Sequence, residues 1–323
     1  MNGQSAGHHE DRVRAAVNSD AAAKSALVAS WQRSSKKLHR LDPGERKSPK
    51  RLTDAEFRKA KQNVEPLQMA AQSSLDRLYL AVGGVGCCVL LSDRDGVAMD
   101  RRGAASDDET FEDWGLWTGS IWSEESEGTN GIGTCLAERR ALTIHRDQHF
   151  YARNTLLSCT TVPIYDHEGN LAGALDISSC RADLTEAFTN LISMAVADAA
   201  RRIEAENFRR AFPRARVLLL PEANSGLGGL IAIDSDDLVV GATRSARIAL
   251  GISQESLARS LAAMDVLSGA EGMEGSLDRA ERAALQRALA HTSGNISAAA
   301  EALGISRATL HRKLKRFELR RAH

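Results

Sequence analysis

The C-terminal region reads Gly294-Asn-Ile-Ser-Ala-Ala-Ala-Glu-Ala-Leu-Gly-Ile-Ser-Arg-Ala-Thr-Leu-His-Arg-Lys-Leu-Lys-Arg-Phe317. Asn295 and Ser306 can each cap a helix through a side-chain oxygen, and Gly304 can supply a tight turn between the two helices. The apolar residues at helical spacing are Ile296, Ala299, Ala300, Leu303, Leu310, Leu314 and Phe317. Upstream, an earlier helix ending at Gly294 is indicated by Leu277, Ala280, Ala284, Leu285, Ala288 and Leu289. The pattern predicts three short helices around one core.

The third of these helices has a basic outward face. Its outward residues are Arg307, Thr309, Arg312, Lys313, Lys315 and Arg316. From Leu277 onward there are 10 Lys and Arg against 4 Asp and Glu, in a chain of 323 residues with zero net charge. This is typical of a DNA-binding helix-turn-helix, in which N-terminal residues of the third helix reach base edges and C-terminal cations meet phosphates. The alternative is a three-helix bundle with a solvated basic face.

Residues 277–323 closely resemble the Fis-type helix-turn-helix at the C-terminus of bacterial enhancer-binding regulators. The resemblance implies a homodimer on a two-fold site in double-stranded DNA, with half-sites about 34 Å or a multiple apart. The DNA-contacting residues that follow from the resemblance and the basic face are Asn295, Ser297, Ser306, Arg307, Thr309, Arg312, Lys313, Lys315 and Arg316.

Length and composition limit the other possibilities. A chain of 323 residues predicts two or three domains. No apolar run approaches the ~20 residues of a membrane span, and the N-terminus has no apolar core typical of a secretory signal. The five cysteines are an odd number and form no CxxC pair. We therefore expect a cytoplasmic protein with reduced thiols and no membrane partner.

Charge is unevenly distributed near the N-terminus. Residues 36–61 hold 10 Lys and Arg against 4 Asp and Glu, whereas residues 104–127 hold 8 Asp and Glu and no Lys or Arg. We interpret residues 1–65 as a helical, basic arm that either is solvated or touches DNA. The acidic block is expected on a loop, where it could also pack against a basic module.

The central region predicts an α+β fold. Cys87–Leu91 reads as a buried strand, residues 93–96 as a turn, residues 97–99 as the return strand and residues 141–144 as another strand. The clearest hairpin joins residues 157–165 to residues 171–178 through the turn at 166–170. A helix ends near Val82, and a long helix is expected from Leu184 to Phe212. An antiparallel sheet with flanking helices follows.

This region resembles a GAF domain of the type found in acetoin-catabolism regulators, over about residues 27–205. The strings that carry the resemblance are Ser30–Ser34, Leu41–Pro43, Trp122–Glu125, Gly128–Thr134, His149–Phe150, Cys159–Pro163 and Gly173–Ser178. We assign residues 66–212 to this sensor. The resemblance implies a small-molecule effector between the sheet and the covering helices. The candidate ligand-binding residues are Trp117, Trp122, Thr129, Asn130, Cys135, His149, Cys159 and Asp176. The alternative is that the tryptophans belong to the core.

Two other patterns do not predict cofactor binding. Gly128-Thr-Asn-Gly-Ile-Gly133 lacks the strand-to-helix context of a dinucleotide site, and its glycines suit a loop that closes tightly over a pocket. His145 and His149 stand four residues apart and could bind a metal with Cys135 or Cys159. His145 ends a strand, however, and we expect neither a metal nor a cofactor.

A weaker segment follows the sensor. Residues 229–250 read as strand, turn, strand and helix, and they resemble the start of a PAS-like module, assigned to residues 213–266 and followed by a linker at 267–276. The matching activators usually carry an ATPase between sensor and helix-turn-helix. No Gly-x4-Gly-Lys-Ser/Thr string occurs here, and the ~70 residues available are too few for such a domain.

The sequence therefore predicts an effector-responsive bacterial transcriptional regulator without ATPase activity, and not an enzyme. It could activate by contacting RNA polymerase, repress by occupancy, or assist a related full-length sigma-54 activator. A second hypothesis makes Cys135 or Cys159 a redox switch. A third is a GAF-type thiol enzyme, although Cys87 and Cys88 lie in a strand that reads as core.

Overall fold

The structure, a computed structural model, describes residues 3–19, 25–37, 39–45, 48–83, 86–181, 185–220, 228–258, 261–263, 266, 276–292 and 294–317. Its largest sheet has five strands, all antiparallel, in the order β2-β1-β5-β4-β3. The strands are β1 (Cys87–Asp93), β2 (Ala98–Arg102), β3 (Leu142–His145), β4 (Ser158–Tyr165) and β5 (Leu171–Ser179). The antiparallel α+β sheet expected from the sequence is confirmed, and the β4–β5 turn lies at residues 166–170.

Two long helices, α3 (Asp54–Val82) and α7 (Glu186–Ala211), cover one face of this sheet. Val89 and Leu91 of β1 pack there with Leu75 of α3 and Val196 of α7. α3 begins well before the apolar residues that predict it, because Thr53 and Glu56 form a capping box. The first part of α3 is largely exposed, so its sequence shows no apolar stripe.

Three short helices cover the opposite face: α4 (Asp108–Asp113), α5 (Glu124–Glu127) and α6 (Gly131–Glu138). Leu90 of β1 packs there in one cluster with Phe111, Trp122, Ile132 and Cys135. This face is the one that carries the candidate effector residues.

The N-terminal segment also packs on this side of the sensor. It contains α1 (Gly3–Val17) and α2 (Ala26–Gln32), the latter continuing as a π-helical turn to Lys37. Val13 and Trp31 join Phe150 and Tyr151 in one buried cluster, and the Trp31 indole N–H donates to the carbonyl of Gln148 at 2.9 Å. Instead of extending as a basic arm, the described part of residues 3–45 therefore folds onto the sensor. Trp31 and Gln148 lie 117 positions apart, so local sequence patterns do not reveal this contact.

A smaller antiparallel sheet follows α7, in the order β6-β7-β8. It consists of β6 (Arg216–Leu219), β7 (Leu230–Ile233) and β8 (Val239–Ala242), followed by α8 (Arg244–Leu250) and α9 (Gln254–Ala258). Phe208 of α7 packs against Leu230 and Ala232, so α7 belongs to the cores of both sheets. Of the expected linker at 267–276, residues 267–275 lie outside the described residues.

The C-terminal module contains α10 (Ser276–His291), α11 (Ile296–Ala302) and α12 (Arg307–Arg316). Its buried residues are Leu285, Ala288, Leu289, Ile296, Ala299, Ala300, Leu310 and Leu314. Gly294 and Gly304 adopt φ of 80° and 64°, where glycine avoids the strain that other residues meet. Residues 318–323 lie outside the described part. No helix among the described residues is long and apolar enough to cross a membrane.

Candidate DNA interface and effector site

The third helix of the C-terminal module presents a cationic surface. Ser306 begins α12, and its hydroxyl oxygen accepts the backbone N–H of Thr309 at 3.1 Å. Leu310 and Leu314 fix the inward face, because both are buried in the module's core. The exposed residues of α12 then include Arg307, Arg312, Lys315 and Arg316. This is the exposed surface expected for major-groove binding.

Two predicted DNA-binding residues also build helix ends. The Asn295 side-chain oxygen accepts the N–H groups of Ser297 and Ala298 at 3.0 and 3.2 Å, which caps α11. The Thr309 and Ser306 hydroxyls lie 2.9 Å apart. Asn295, Ser297 and Ser306 nevertheless remain exposed. They can therefore cap helices and still face a DNA backbone.

Lys313 differs from the other predicted phosphate contacts. Its ammonium forms an ion pair with Glu281 of α10, and its side chain is only 30% exposed. Arg316 Nη1 lies 3.8 Å from the same carboxylate. Lys313 thus ties the first helix to the third, and its role within the free module is structural. No local sequence pattern indicates this pair, since the two residues are 32 positions apart.

In the sensor, Asp176 occupies the centre of the sheet. Cross-strand pairs with Leu90 on β1 and Thr161 on β4 turn it toward α6. The carboxylate is fully buried and accepts the Thr161 hydroxyl at 2.5 Å and the Ser178 hydroxyl at 2.6 Å. Burial raises the pKa of Asp176 to about 6, and the two hydrogen bonds oppose that rise.

A thiol and an imidazole extend this polar chain. Cys159 Sγ lies 3.1 Å from the Ser178 hydroxyl and 3.5 Å from His149 Nε2. His149 Nδ1 lies 2.9 Å from the Arg146 carbonyl, which can only accept, so Nδ1 carries the proton and Nε2 accepts. Burial lowers the pKa of His149 to about 4 and raises the pKa of Cys159 well above its usual value. The pair is therefore a neutral thiol and a neutral imidazole, without the thiolate that nucleophilic or redox chemistry uses.

The glycine-rich loop places α6 against these hydrogen-bonded side chains. The Asn130 side chain accepts the N–H of Gly133 and donates to the carbonyl of Gly128, both at 2.8 Å. A Cβ added at Gly131 would lie 2.6 Å from both Cys159 Cβ and Thr161 Oγ1. Gly131 is therefore needed for the close approach of α6 to the sheet, and both ends of the Asn130 amide are used in shaping the loop.

A small cavity of about 180 Å³ lies beneath α2. Its walls include Leu27, Ser30, Thr129, Thr134, Leu142 and Ile144. The hydroxyls of Ser30 and Thr129 lie 2.7 Å apart. At about 30 Å³ for each water molecule in the liquid, the volume equals that of roughly six waters. The cavity therefore suits a small molecule that has both polar and apolar parts.

Arg33 and Glu124, which were not among the predicted site residues, hold α2 over the cavity. Arg33 Nε and Nη2 donate to the two Glu124 carboxylate oxygens at 2.7 and 2.8 Å. The Glu124 side chain is 4% exposed and also accepts the Ser30 hydroxyl at 2.7 Å. Both residues fall in strings that carried the GAF resemblance, which was the available signal. No sequence signal indicated that the two residues pair, because they lie 91 positions apart.

Of the eight predicted ligand-binding residues, Thr129 is one of the residues that line the cavity, and the other seven are not. Trp122 is 2% exposed, and its indole N–H donates to the Gly115 carbonyl at 2.8 Å. Cys135 is fully buried in the same core. Trp117 is partly exposed, under the Arg101 guanidinium. The structure thus brings Asp176, Cys159 and His149 into one chain. Within the described residues, no group of three His, Cys, Asp or Glu side chains is placed to hold a metal.

Comparison with known families agrees with both the sensor fold and the C-terminal DNA-binding module. Residues 66–203 match the GAF domain, and residues 276–317 match the family described as bacterial regulatory protein, Fis family. The chain contains a GAF domain and a Fis-family helix-turn-helix. The cavity lies between the GAF domain and a preceding helix, because α2 precedes residue 66.

Curated relatives with similar sequences are named as regulators. The chain is 34% identical over 242 residues to the acetoin catabolism regulatory protein of Cupriavidus necator, covering 73% of this chain and 36% of that protein. It is 29% identical over 190 residues to the acetoin dehydrogenase operon transcriptional activator AcoR of Bacillus subtilis, covering 59% of this chain and 31% of AcoR. The chain thus spans about a third of the length of these relatives.

A solved structure supports the fold of the sensor. A chain of the E. coli DhaR(N)–DhaL complex superposes with a TM-score of 0.51 at 15% identity, covering 70% of this chain and 77% of that chain. The coverage exceeds the length of the GAF domain alone.

Proposed function

We propose that this chain is an effector-responsive transcriptional regulator that binds promoter DNA as a homodimer. The observation that carries the proposal is the exposed cationic face of α12, with Arg307, Arg312 and Lys315, on a complete Fis-family module. The same chain contains a GAF domain with a cavity and a buried polar chain. Regulators among the relatives support this function, and action on promoter DNA implies a cytoplasmic location.

The DNA contact is tested by footprinting on the upstream DNA of its own gene across a salt series. We expect Arg307→Ala to reduce discrimination between specific and nonspecific DNA, since a bidentate arginine–guanine pair contributes about 1–3 kcal/mol. Arg282→Ala is the matched control, because it removes an exposed cation from α10 instead of α12. It should weaken binding to all sequences about equally. Unchanged site selectivity in Arg307→Ala would argue against base readout by this residue.

A homodimer is supported by exposed apolar side chains on the two long helices of the sensor. Leu80 of α3 is 83% exposed, and Leu191 and Met194 of α7 are 60% and 72% exposed. We propose that a second copy covers these side chains and sets the spacing of the two DNA modules. Leu80→Glu combined with Met194→Glu should give a monomer in sedimentation experiments. Ile248→Glu, which changes an exposed apolar residue of α8 instead, should leave the dimer intact.

The proposed effector site is the cavity between α2 and the GAF domain. Support comes from its volume of about 180 Å³, its Ser30 and Thr129 hydroxyls and its apolar side chains. Asp176, Cys159 and His149 do not line this cavity, although Cys159 pairs across the strands with Ile144, which does, and His149 follows Gln148, which also does. Among the other predicted ligand residues, Asn130 shapes the loop, whereas Trp122, Cys135 and Trp117 do not line this cavity.

Acetoin is the first probe, because two relatives carry its name. Calorimetric titration of the full chain should show binding that Thr129→Val weakens about tenfold, through loss of one hydrogen bond in a desolvated site. Thr110→Val on the exposed surface of α4 is the control. Binding that is equal in Thr129→Val and wild type would exclude this cavity as the site.

We propose that α7 transmits the effector signal. Val196 of this helix lies in the core of the larger sheet and Phe208 in the core of the smaller one, the partial PAS-like unit. Asp237, between β7 and β8 of the smaller sheet, pairs with Arg287 of α10 at 2.7 Å, so a shift of α7 would reach the DNA module. Regulation is proposed to occur without ATP hydrolysis, because the residues between sensor and helix-turn-helix contain no phosphate-binding loop. Addition of ATP should leave DNA binding and transcription in vitro unchanged.

A further inference from the structure

Arg101 on β2 is a buried cation that uses only part of its hydrogen-bonding capacity. Its side chain is 9% exposed, and Nη1 donates to the Asp108 carboxylate at 2.6 Å. Nε and Nη2 are buried and have no hydrogen-bond partner among the residues that the structure describes. Buried donors left unpaired are unfavourable, and more so when the group is charged. Among the described residues, Arg146 and Arg153 each have one such buried nitrogen, whereas Arg101 has two on the same edge of its guanidinium.

Arg33 shows what the unpaired edge of Arg101 can bind. In Arg33, Nε and Nη2 together hold both oxygens of the buried Glu124 carboxylate, at 2.7 and 2.8 Å. These are the same two atoms that lack a partner in Arg101. They lie on one edge of the planar guanidinium, where two parallel N–H groups match the two oxygens of a carboxylate.

The surroundings of Arg101 hold its guanidinium in place. The Trp117 ring lies 4.4 Å and the Phe111 ring 5.5 Å from Arg101 Cζ. Gly103 is packed so closely that a Cβ at this position would lie 2.3 Å from Nη2. Gly103 and Trp117 are themselves partly exposed, so the unpaired edge lies against residues that solvent reaches.

We infer that the Nε–Nη2 edge of Arg101 binds the carboxylate of a small organic acid. This site is separate from the effector cavity. Arg101 pairs with Leu90, which pairs in turn with Asp176, so two strand spacings of about 4.8 Å separate Arg101 from Asp176. The proposal concerns binding to the sensor alone and holds whether or not the chain regulates transcription.

The test is titration of the full chain with acetate and with acetamide, its neutral counterpart, at constant ionic strength. All four tryptophans of the chain lie at positions 31, 114, 117 and 122, so their emission reports on the sensor and not on the DNA module. We expect saturable acetate binding with a Kd on the order of 1 mM, as befits so small a ligand, and no binding of acetamide. Calorimetry provides the second readout.

Arg101→Gln should weaken acetate binding at least about tenfold, and Arg101→Lys should also weaken it because an ammonium cannot present the two-pronged edge. Arg102→Gln is the matched control, since the neighbouring Arg102 pairs with Asp76 and Asp100. Gly103→Ala supplies a second variant that keeps Arg101. Its added methyl overlaps only the end of a flexible side chain, so the protein should fold while the guanidinium is displaced and binding is lost.

Three results would overturn the inference. The first is wild-type protein that does not bind acetate, which would mean that water accepts the hydrogen bonds of Nε and Nη2. The second is equal binding of acetate and acetamide. The third is acetate binding that persists in both Arg101→Gln and Gly103→Ala.

Discussion

Replacing Asp176 by asparagine should stabilise the sensor at neutral pH. Asp176 is fully buried, and its pKa is raised from about 3.8 to about 6, chiefly by desolvation. At neutral pH the native protein must therefore hold an ionised carboxylate that would be more stable in water. Asparagine has nearly the same shape, carries no charge, and can bond to the rotatable hydroxyls of Thr161 and Ser178.

The magnitude follows from linkage between protonation and folding. A rise of about 2 pKa units corresponds to about 3 kcal/mol, at about 1.4 kcal/mol per unit. The folded state binds the Asp176 proton more tightly than the unfolded state, so the contribution of Asp176 to wild-type stability falls as pH rises from about 4 to about 6. Asp176→Asn should therefore exceed wild type by up to about 3 kcal/mol above pH ~6.5, and by almost nothing below pH ~4.

His149 acts in the opposite direction. Its pKa is lowered to about 4, so the unfolded state binds its proton first and acidification destabilises the protein. This contribution is present in both proteins and cancels in the difference between variant and wild type. The quantity to measure is therefore the difference in free energy of unfolding between variant and wild type at each pH, and not either pH profile alone.

The assay is urea unfolding followed by tryptophan emission, at several values between about pH 3.5 and pH 7.5. Three of the four tryptophans lie in the sensor and Trp31 lies on α2, which packs against it, so unfolding of the DNA module does not enter the signal. Asp113→Asn, at an exposed position of α4, is the control and should match wild type throughout. A stability gain that is absent at neutral pH, or that is equally large at acidic pH, would refute the reasoning.

Three further outcomes are expected. In the native protein a thiol reagent should modify Cys180 first, because the other four cysteines are buried. Mass mapping after brief labelling checks this order, and rapid labelling of Cys159 would revive the redox hypothesis. Arg33→Ala should destabilise the sensor by about 3 kcal/mol, since it leaves the buried Glu124 carboxylate without its cation, and urea midpoints measure the loss. Asn295→Ala should lower the stability of the C-terminal module by about 1 kcal/mol through loss of a helix cap, seen in the far-UV thermal transition, whereas Ser297→Ala should not.

The elements that the sequence predicted well are those whose signals are local. The β4–β5 hairpin is marked by two apolar runs around a polar turn, and the C-terminal module by Asn295, Gly304 and Ser306 at helix ends. Caps, tight turns and apolar periodicity act within a few residues, so a single sequence displays them. The first part of α3 was missed because it is largely exposed and lacks periodicity.

The sequence by itself determined the α+β sensor, the helix-turn-helix and the cationic residues of its third helix, since these depend on neighbours along the chain. Only the tertiary structure decided that α2 closes a cavity through Arg33 and Glu124, and that Lys313 is held by Glu281. It also decided that Arg101 has an unpaired edge. Each of these depends on residues that are distant in sequence and meet only after strands and helices have packed, and on which polar groups that packing removes from water.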